Sequence, residues 1–208
     1  MSDLIPLSVP QIAGNEWTYV KECLDTGWVS SAGAYVDRFE AAICESTGVK
    51  HAIACVNGTA ALQLSLQLVG VEPENEVIVP TVTFIATANA VRYCQAFPVF
   101  LDCDEYYNLD VARTTQFIEE ETEFRDGSSW NKSSQRKVTA VCPVHVFGNA
   151  CDLAPLLNIC EQRNIKIVED AAESLGTVYS EGPLQGRHTG TIGELSLIHI
   201  SEPTRQLC

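Results

Sequence analysis

Short apolar segments alternate with amphipathic segments along most of this sequence, from residue 51 to residue 170. The apolar segments, which have the length of buried strands, are HAIACV, EVIVP, FPVFLD, VTAVCPVHVFG and IKIVED. The amphipathic segments have the spacing of helices and lie at 59–70, 84–94, 109–122 and 153–164, with Gly70 as a candidate C-cap and Asn108 as a candidate N-cap. Because strands that alternate with helices form βαβ units, this order predicts an α/β fold, a mainly parallel sheet with flanking helices.

Two regions interrupt the alternation. Residues 1–50 include helical segments at 14–25 and 34–46, and we expect them to form a helical arm that packs on the sheet or on a partner chain. Residues 125–137 are polar and Ser-rich, which predicts an exposed loop inserted in the fold. The domain organisation predicted is therefore an arm at 1–50, an α/β domain at 51–194 and a separate tail at 195–208.

Composition excludes several functional classes. The 208 residues carry a formal net charge of −14, which argues against nucleic acid or an anionic membrane surface as a partner. The nine Cys form no C-x-x-C pair and no metal-binding spacing, so we expect reduced thiols and no metal site. No signal peptide and no apolar run of membrane-spanning length is present. We expect a cytoplasmic protein.

Three strand ends carry candidate site residues. In NGTAAL, Gly58 and Thr59 open a helix whose N–H groups could bind a phosphate, although a plain Gly turn with a Thr cap has the same pattern. Phe84 follows a strand and could stack on a flat ligand or lie in the core. His145 ends another strand and could contact a substrate or a cofactor, or be a buried His with satisfied nitrogens.

Asp170 ends the apolar strand of KIVEDAAESLG and is followed by small residues that leave room for a flat ligand. A buried carboxylate is costly without a partner, and a protonated pyridine nitrogen is one partner that would stabilise it. Asp170 could instead cap a following helix. Since all four features lie at strand ends, the sequence predicts a cofactor cleft with a phosphate site and a carboxylate, without naming the cofactor.

The same segments resemble the DegT/DnrJ/EryC1/StrS family of pyridoxal phosphate (PLP)-dependent sugar aminotransferases, which have fold type I. The resemblance runs from about residue 5 to 194, through DTGWVSSAGAYVDRFE, NGTAAL, PTVTFIATANAV, FLD, PVHVFG, VEDAAESLG and GRHTGTIGE. The N-terminal segment is similar to the branch that aminates nucleotide-linked 4-keto-6-deoxy sugars, as the LegC-type enzymes of legionaminic (nonulosonic) acid synthesis do.

The resemblance implies a role for each candidate residue. The PLP phosphate would be held by Gly58, Thr59 and Ala60. Phe84 would stack on the ring, Asp170 would pair with the ring nitrogen, and Glu173 would lie near the ring hydroxyl, where many relatives carry Gln or His. The sugar nucleotide would contact residues Trp28, Ser30, Ser31 and His145. L-Glutamate would donate the amino group to the C4 ketone of the sugar, and the intact protein would be a homodimer.

The sequence departs from the family after GTIGE, where the family has an SFNGNK-like segment containing the Schiff-base lysine. This chain reads LSLIHISEPTRQLC instead, and LSLIHISEPTR resembles the translation of a sequencing adapter. We therefore expect the segment from about residue 195 to be non-native, without helix or strand period, and the gene to be truncated. The chain as written, with no catalytic lysine, is predicted to be inactive and poorly soluble.

Three alternatives stay open. One is a sugar dehydratase of the same superfamily that uses pyridoxamine phosphate and has His in place of the lysine; His199 lies in the suspect tail and is not counted. The second is a non-catalytic relative that binds the cofactor or a sugar nucleotide. The third is a structural fragment without a ligand.

Overall fold

The computed structural model describes residues 12–30 and 32–198. These residues divide into two compact units, and the boundary lies between Ala54 and Cys55, close to the boundary predicted at residue 50. Within the described residues no helix is long and apolar enough to cross a bilayer.

The helices are α1 (Glu16–Thr26), α2 (Ala34–Thr47), α3 (Gly58–Leu68), α4 (Ile85–Tyr93), α5 (Val111–Gln116, continued by a π-helical turn, Phe117–Glu121) and α6 (Ala154–Arg163). The strands are β1 (Glu76–Pro80), β2 (Phe97–Leu101), β3 (Thr122–Arg125), β4 (Ser128–Asn131), β5 (Lys137–Val141), β6 (Lys166–Asp170) and β7 (Leu195–Leu197). A single 3₁₀ turn, Val146–Gly148, follows β5.

The N-terminal unit contains α1 and α2, as the sequence predicts. The Tyr35 hydroxyl of α2 donates to Glu22 Oε2 of α1 at 2.8 Å. The rings of Tyr19 and Tyr35 lie 5.0 Å apart, and the Arg38 guanidinium lies over both. Cation–π and aromatic contacts of this kind join two short helices whose faces are otherwise largely exposed.

The larger unit contains a mainly parallel sheet with flanking helices, which confirms the predicted fold class. Five parallel strands lie in the order β2-β1-β5-β6-β7, and the β3–β4 hairpin joins the first half of β5 in antiparallel fashion. The connection from β1 runs outward to β2, and the connection from β5 runs outward in the opposite direction to β6. The chain therefore changes direction between β1 and β5, and in open α/β sheets the crevice at the carboxyl ends of such strands is where ligands bind.

Alternate residues of the central strands contact different sets of helices. Val77 and Val168 belong to a core cluster with residues of α3 and α4, and we call this side of the sheet the α3/α4 face. Ile78 and Ile167 belong to a second cluster with residues of α6, and we call this side the α6 face. Both faces are covered, which explains why the central strands are continuous apolar runs rather than alternating ones.

The structure tests two predicted helix ends, the end of α3 and the start of α5. The C-cap of α3 is Val69 rather than Gly70; Gly70 is the next residue, has φ +92° and donates from its backbone N–H to the carbonyl oxygen of Gln67. The helix predicted at 109–122 begins at Val111 and is capped by Asp110, so Asn108 is not its cap. Asn108 is buried, and its Oδ1 accepts from the backbone N–H of Val146 at 3.0 Å.

The strand predicted at 51–56 is wrong, because the structure has no strand there. Ile53 and Val56 are largely exposed, and the boundary between the two units falls inside the segment. A strand needs a neighbouring strand to complete its backbone hydrogen bonds, and an apolar run does not supply one.

The loop predicted at 125–137 is also wrong over much of its length. Arg125 ends β3, and residues 128–131 form β4. Asp126 and Gly127 have φ of +52° and +73°, the left-handed conformation at both central positions of a type I′ turn. An Asp-Gly pair is typical of a hairpin turn, but the prediction of a loop relied on the Ser-rich composition of the segment and did not use this pair.

The segment from residue 195, predicted to be without helix or strand period, begins with β7. Leu195–Leu197 pairs in parallel with the last three residues of β6, and Leu197 is buried in the cluster of the α3/α4 face. The edge of β6 that is not paired with β5 supplies the backbone hydrogen-bond partners of β7. A segment of only three residues can therefore form a strand there. Residues 199–208, including His199, lie outside the described part of the chain.

Candidate functional site

Three segments meet at the carboxyl edge of the sheet: residues 81–84 after β1, residues 142–145 after β5 and residues 170–173 at the end of β6. Three backbone hydrogen bonds join them and the neighbouring β2. The Thr81 N–H donates to the carbonyl oxygen of Leu101, the Cys142 N–H to that of Ile78, and the Asp170 N–H to that of Pro143. These bonds extend the parallel pairing beyond the strands, so the predicted site segments are held side by side.

Asp170 is 5% exposed and lies on the α3/α4 face, the same side as Val168. Its Oδ2 accepts from the Thr87 hydroxyl at 2.8 Å, and its Oδ1 accepts from the backbone N–H of Ala172 at 3.2 Å. Burial raises the pKa of Asp170 and outweighs the lowering effect of these two hydrogen bonds and of His145. The carboxylate therefore has two hydrogen-bond donors but no ion-pair partner among the described residues.

Phe84 lies directly before α4 with extended backbone, and its side chain is 62% exposed. Its carbonyl oxygen accepts from the backbone N–H of Thr87 at 3.1 Å. Since Thr87 also bonds Asp170, Phe84 and Asp170 are joined through one residue of the first turn of α4. The structure thus brings the predicted aromatic and the predicted carboxylate together.

Glu173 follows Asp170 by three residues and is exposed. Its Oε2 accepts from the backbone N–H of Phe147 at 2.9 Å. Phe147 has φ +54°, an uncommon left-handed conformation for an aromatic residue, and this hydrogen bond fixes the turn in which it occurs. One carboxylate oxygen of Glu173 is thereby used by the protein, and the other is available for a ligand.

Gly58, Thr59 and Ala60 form the first turn of α3. Seven residues separate α3 from β1, so the helix must run back along the sheet, with its N-terminus toward the carboxyl edge. The Asn57 side chain caps the helix by accepting from the Ala60 N–H at 2.9 Å. The N–H groups of Gly58 and Thr59 have no partner inside the helix, as in the first turn of any helix.

His145, for which the sequence left open a contact with a substrate or a cofactor and a buried position with satisfied nitrogens, lies in the core. The ring is fully buried, its Nδ1 accepts from the backbone N–H of Cys151 at 3.0 Å, and its Nε2 lies 3.0 Å from Glu169 Oε2. Because Nδ1 is an acceptor, the proton is on Nε2, which donates to Glu169. Both nitrogens are therefore occupied within the core.

Glu169 is a buried carboxylate beside the site that the sequence analysis did not single out. It is fully buried, and four donors surround its carboxylate: His145 Nε2 and the Gly190 N–H at Oε2, and the N–H groups of Ile192 and Gly193 at Oε1, at 2.6–3.0 Å. Burial raises its pKa, but the hydrogen bonds from His145, Gly193 and Gly190 outweigh burial and lower the pKa overall. Its position beside Asp170 in VED was the available signal.

Trp28 and Ser30 belong to the N-terminal unit. Both line a groove of about 1040 Å³ between α1 and α2, and Trp28 is exposed. Ser31 lies outside the described residues. Two of the four predicted sugar-nucleotide residues, Trp28 and Ser30, therefore line one concave surface of the N-terminal unit.

All five lysines of the sequence lie in the described part of the chain. Lys21 and Lys50 belong to the N-terminal unit. Lys132 directly follows β4, Lys137 begins β5 and Lys166 begins β6, with its Nζ 3.7 Å from Glu194 Oε1. Because β4 is antiparallel to β5, the lysines of the larger unit lie toward the amino edge of the parallel strands, and Asp170 lies at the carboxyl edge.

Comparisons with known proteins identify the family of this chain. The model of the DegT/DnrJ/EryC1/StrS aminotransferase family matches residues 10–199. A GDP-perosamine synthase of Caulobacter vibrioides is 43% identical over 197 residues, which cover 93% of this chain and 47% of that protein. The chain spans about half the length of the curated relatives it matches.

Two solved structures have the same fold over most of this chain. A DegT DnrJ EryC1 StrS aminotransferase from Brucella abortus is 32% identical with a TM-score of 0.72, covering 86% of this chain and 44% of that one. A sugar aminotransferase, Spr1654, from Streptococcus pneumoniae in its PMP form is 26% identical with a TM-score of 0.76, covering 93% and 47%. The predicted LegC-like branch stays a prediction.

Proposed function

This chain belongs to the DegT/DnrJ/EryC1/StrS aminotransferase family, and on that premise we propose that the protein uses PLP to transfer the amino group of L-glutamate to a nucleotide-linked 4-keto-6-deoxy sugar. The observation that carries the proposal is the buried Asp170 at the carboxyl edge of the sheet, short of a cationic partner and joined through Thr87 to the exposed Phe84. The names of the relatives support a GDP-linked sugar.

The residues present fit PLP. A buried carboxylate that accepts from one hydroxyl and one backbone N–H has capacity for one more donor, and a pyridinium N–H supplies both the donor and the compensating charge. Phe84 offers an exposed ring face, and the first turn of α3 offers free N–H groups for a phosphate. When bound, PLP supplies an electron sink for the negative charge that develops at the carbon bearing the transferred amino group.

Each residue of the chain then has a physical task. Asp170 holds a proton on the ring nitrogen, because its negative charge favours the protonated form. The N–H groups of Gly58 and Thr59 bind phosphate, whereas Ala60 acts through its bond to Asn57, which fixes the helix start. Phe84 covers one face of the ring and excludes water there. Glu173 Oε1 would be available to the ring hydroxyl, and Oε2 keeps the Phe147 turn in place.

The 208-residue chain is proposed to bind PLP without turning over. The resemblance implies that the Schiff-base lysine follows GTIGE, and no lysine of the sequence follows Lys166. A homodimer of the intact protein is proposed on the same resemblance.

The test is the thermal stability of the full chain with and without PLP and pyridoxamine phosphate. Ligand that binds only the folded state at 100 times its Kd adds about 2.7 kcal/mol to the free energy of unfolding. We expect both ligands to raise Tm, Asp170→Asn to abolish the rise, and Glu161→Gln, the same change on the exposed side of α6, to keep it. No rise in Tm for the unmodified chain at millimolar ligand would refute the proposal.

The substrate is tested separately. GDP-, UDP- and dTDP-linked 4-keto-6-deoxy sugars are added to the pyridoxamine phosphate complex, and we expect the GDP-linked sugar to raise Tm most. Release of 2-oxoglutarate from glutamate is measured in parallel, and we expect none from this chain. Turnover comparable to that of a complete aminotransferase would contradict the role given to the lysine.

A further inference from the structure

Thr87 connects three groups at the carboxyl edge of the sheet. Its side chain is 1% exposed on the first turn of α4. The hydroxyl lies 2.8 Å from Asp170 Oδ2 and 2.8 Å from the Thr83 hydroxyl, and the backbone N–H donates to the carbonyl oxygen of Phe84. No sequence motif singles out this threonine, and its role is visible only in the folded chain.

The direction of these hydrogen bonds follows from chemistry. An ionised carboxylate has no hydrogen to donate, so the Thr87 hydroxyl donates to Asp170 Oδ2. Its single hydrogen is then used, so in a hydrogen bond across the 2.8 Å contact with Thr83 the Thr83 hydroxyl is the donor. The Thr83 hydroxyl has a second acceptor, the Phe84 carbonyl oxygen at 3.2 Å, so its one hydrogen is shared between two acceptors, of which the Thr87 oxygen is the nearer.

We propose that Thr87 is a positioning residue that fixes the rotation of the Asp170 carboxylate, so that Oδ1 is presented to the ring nitrogen of the cofactor. This rests on the proposed function. Oδ2 is held by the hydroxyl at 2.8 Å, whereas the only protein donor within reach of Oδ1 among the described residues is the Ala172 N–H at 3.2 Å. One oxygen is thus tied to the protein, and the other keeps a lone pair for the ligand.

The same residue is also hydrogen-bonded to the backbone of Phe84. The Thr87 N–H donates to the Phe84 carbonyl oxygen in the first turn of α4, so the backbone of Phe84 and the carboxylate of Asp170 are both attached to Thr87. Thr87 therefore acts on the cofactor through Asp170 rather than by touching it.

The groups near Asp170 determine how its pKa responds when the Thr87 hydroxyl is removed. His145 lies across the strand with its Nδ1 acting as an acceptor, and Glu169 on the α6 face and Glu173 in the following turn are acidic. Burial is the largest influence on the pKa of Asp170 and raises it, the Thr87 hydrogen bond opposes burial, and Glu173 adds to the rise. Removal of the hydroxyl should raise the pKa of Asp170 further. The pH below which cofactor affinity falls should therefore move to a higher value.

The experiment compares Thr87→Val, which keeps the shape and deletes the hydroxyl, with Thr87→Ser, which keeps the hydroxyl. The control is Thr114→Val, another buried threonine, whose hydroxyl bonds the Asp110 carbonyl oxygen on α5. Two quantities are measured on the full chain: the pKa of the Asp170 carboxyl by ¹³C NMR without ligand, and the Kd of pyridoxamine phosphate by fluorescence from pH 5 to pH 8.

We expect Thr87→Val to raise the Asp170 pKa and to weaken binding about tenfold, since a hydrogen bond to a charged group contributes at least that factor. Thr87→Ser should restore both quantities, and Thr114→Val should change neither. An unchanged Asp170 pKa and an unchanged Kd in Thr87→Val would overturn the inference.

The Asp170 pKa measured by NMR and the Kd of pyridoxamine phosphate together distinguish a failure of this inference from a failure of the proposed function. If the unmodified chain does not bind pyridoxamine phosphate, the proposed function fails, and the inference that Thr87 presents Asp170 to a cofactor fails with it. If the unmodified chain binds but Thr87→Val equals it in Kd and in Asp170 pKa, only the positioning role fails.

Discussion

Glu169 and Asp170 are adjacent in β6, but their side chains lie on opposite sides of the sheet. The two carboxylates differ in the number of hydrogen bonds that they accept. On the α6 face, Glu169 accepts four hydrogen bonds from His145 and the turn at 190–193. On the α3/α4 face, Asp170 accepts only two, from Thr87 and Ala172. The pKa shifts have opposite directions accordingly, lowered for Glu169 and raised for Asp170.

This difference separates a structural region from a binding region. The Glu169 carboxylate neutralises donors that would otherwise be buried without partners, and so it fixes the segment that leads into β7. The Asp170 carboxylate is left short of a partner, which costs stability in the free protein and favours a cationic ligand. The following predictions test the comparison, from the largest expected effect to the smallest.

Glu169→Ala should cause the largest loss of stability. It leaves the His145 Nε2–H and three backbone N–H groups buried without an acceptor, and removal of one partner from a buried charged network costs about 3–5 kcal/mol. Urea unfolding of the full chain measures the effect. Glu161→Ala on the exposed side of α6 is the control, and a loss of similar size in both variants would break the comparison.

Gly193→Ala should be the next most damaging change. A Cβ at this position would lie 2.6 Å from the carbonyl oxygen of Ile167, a backbone atom that cannot rotate away, so the turn bonded to Glu169 must shift. We expect a loss of about 1–3 kcal/mol in the free energy of unfolding. In Gly14→Ala the nearest atom is the flexible Glu16 side chain, and this control should change little. Equal stability of the two variants would show that the turn is loosely held.

Asp170→Asn should leave stability nearly unchanged, within about 1 kcal/mol. The amide keeps an oxygen for the Thr87 hydroxyl and removes the cost of a buried charge. The same variant should lose the rise in Tm caused by PLP. A strong destabilisation without ligand would mean that Asp170, like Glu169, is mainly structural.

The pH dependence of stability should have opposite signs for the two carboxylates. The folded-state pKa of Glu169 is lowered, so its contribution is present above its unfolded pKa of about 4.3 and is lost as pH falls. The folded-state pKa of Asp170 is raised, so its contribution is present below its unfolded pKa of about 3.9 and is lost as pH rises through the folded value.

Urea unfolding of the unmodified chain, Glu169→Gln and Asp170→Asn between pH 3 and pH 7 measures these slopes. Asp170→Asn should remove a decline in stability above pH 4, and Glu169→Gln should remove a loss toward acid pH. Slopes of the same sign for both carboxylates would contradict the assignment of the two regions.

Much of the fold followed from local pattern. Apolar runs of strand length and helical spacing placed β1, β2, β5 and β6 and all six α-helices close to their observed positions. The errors in the strands had one source: no strand forms at 51–56, whereas the segments of the hairpin after Thr122 and of the short β7 pair with neighbouring strands. Strand formation depends on a partner distant in sequence, which a local pattern cannot report.

The sequence by itself determined the α/β class and the presence of Asp170 and Phe84 at strand ends, because strand length, alternation and the position of a polar residue after an apolar run are local properties. Only the tertiary structure decided which side of the sheet each residue occupies. It placed His145 and Glu169 on the α6 face and brought Thr87 to Asp170, since side-chain direction beyond a strand end and contact between distant segments depend on packing.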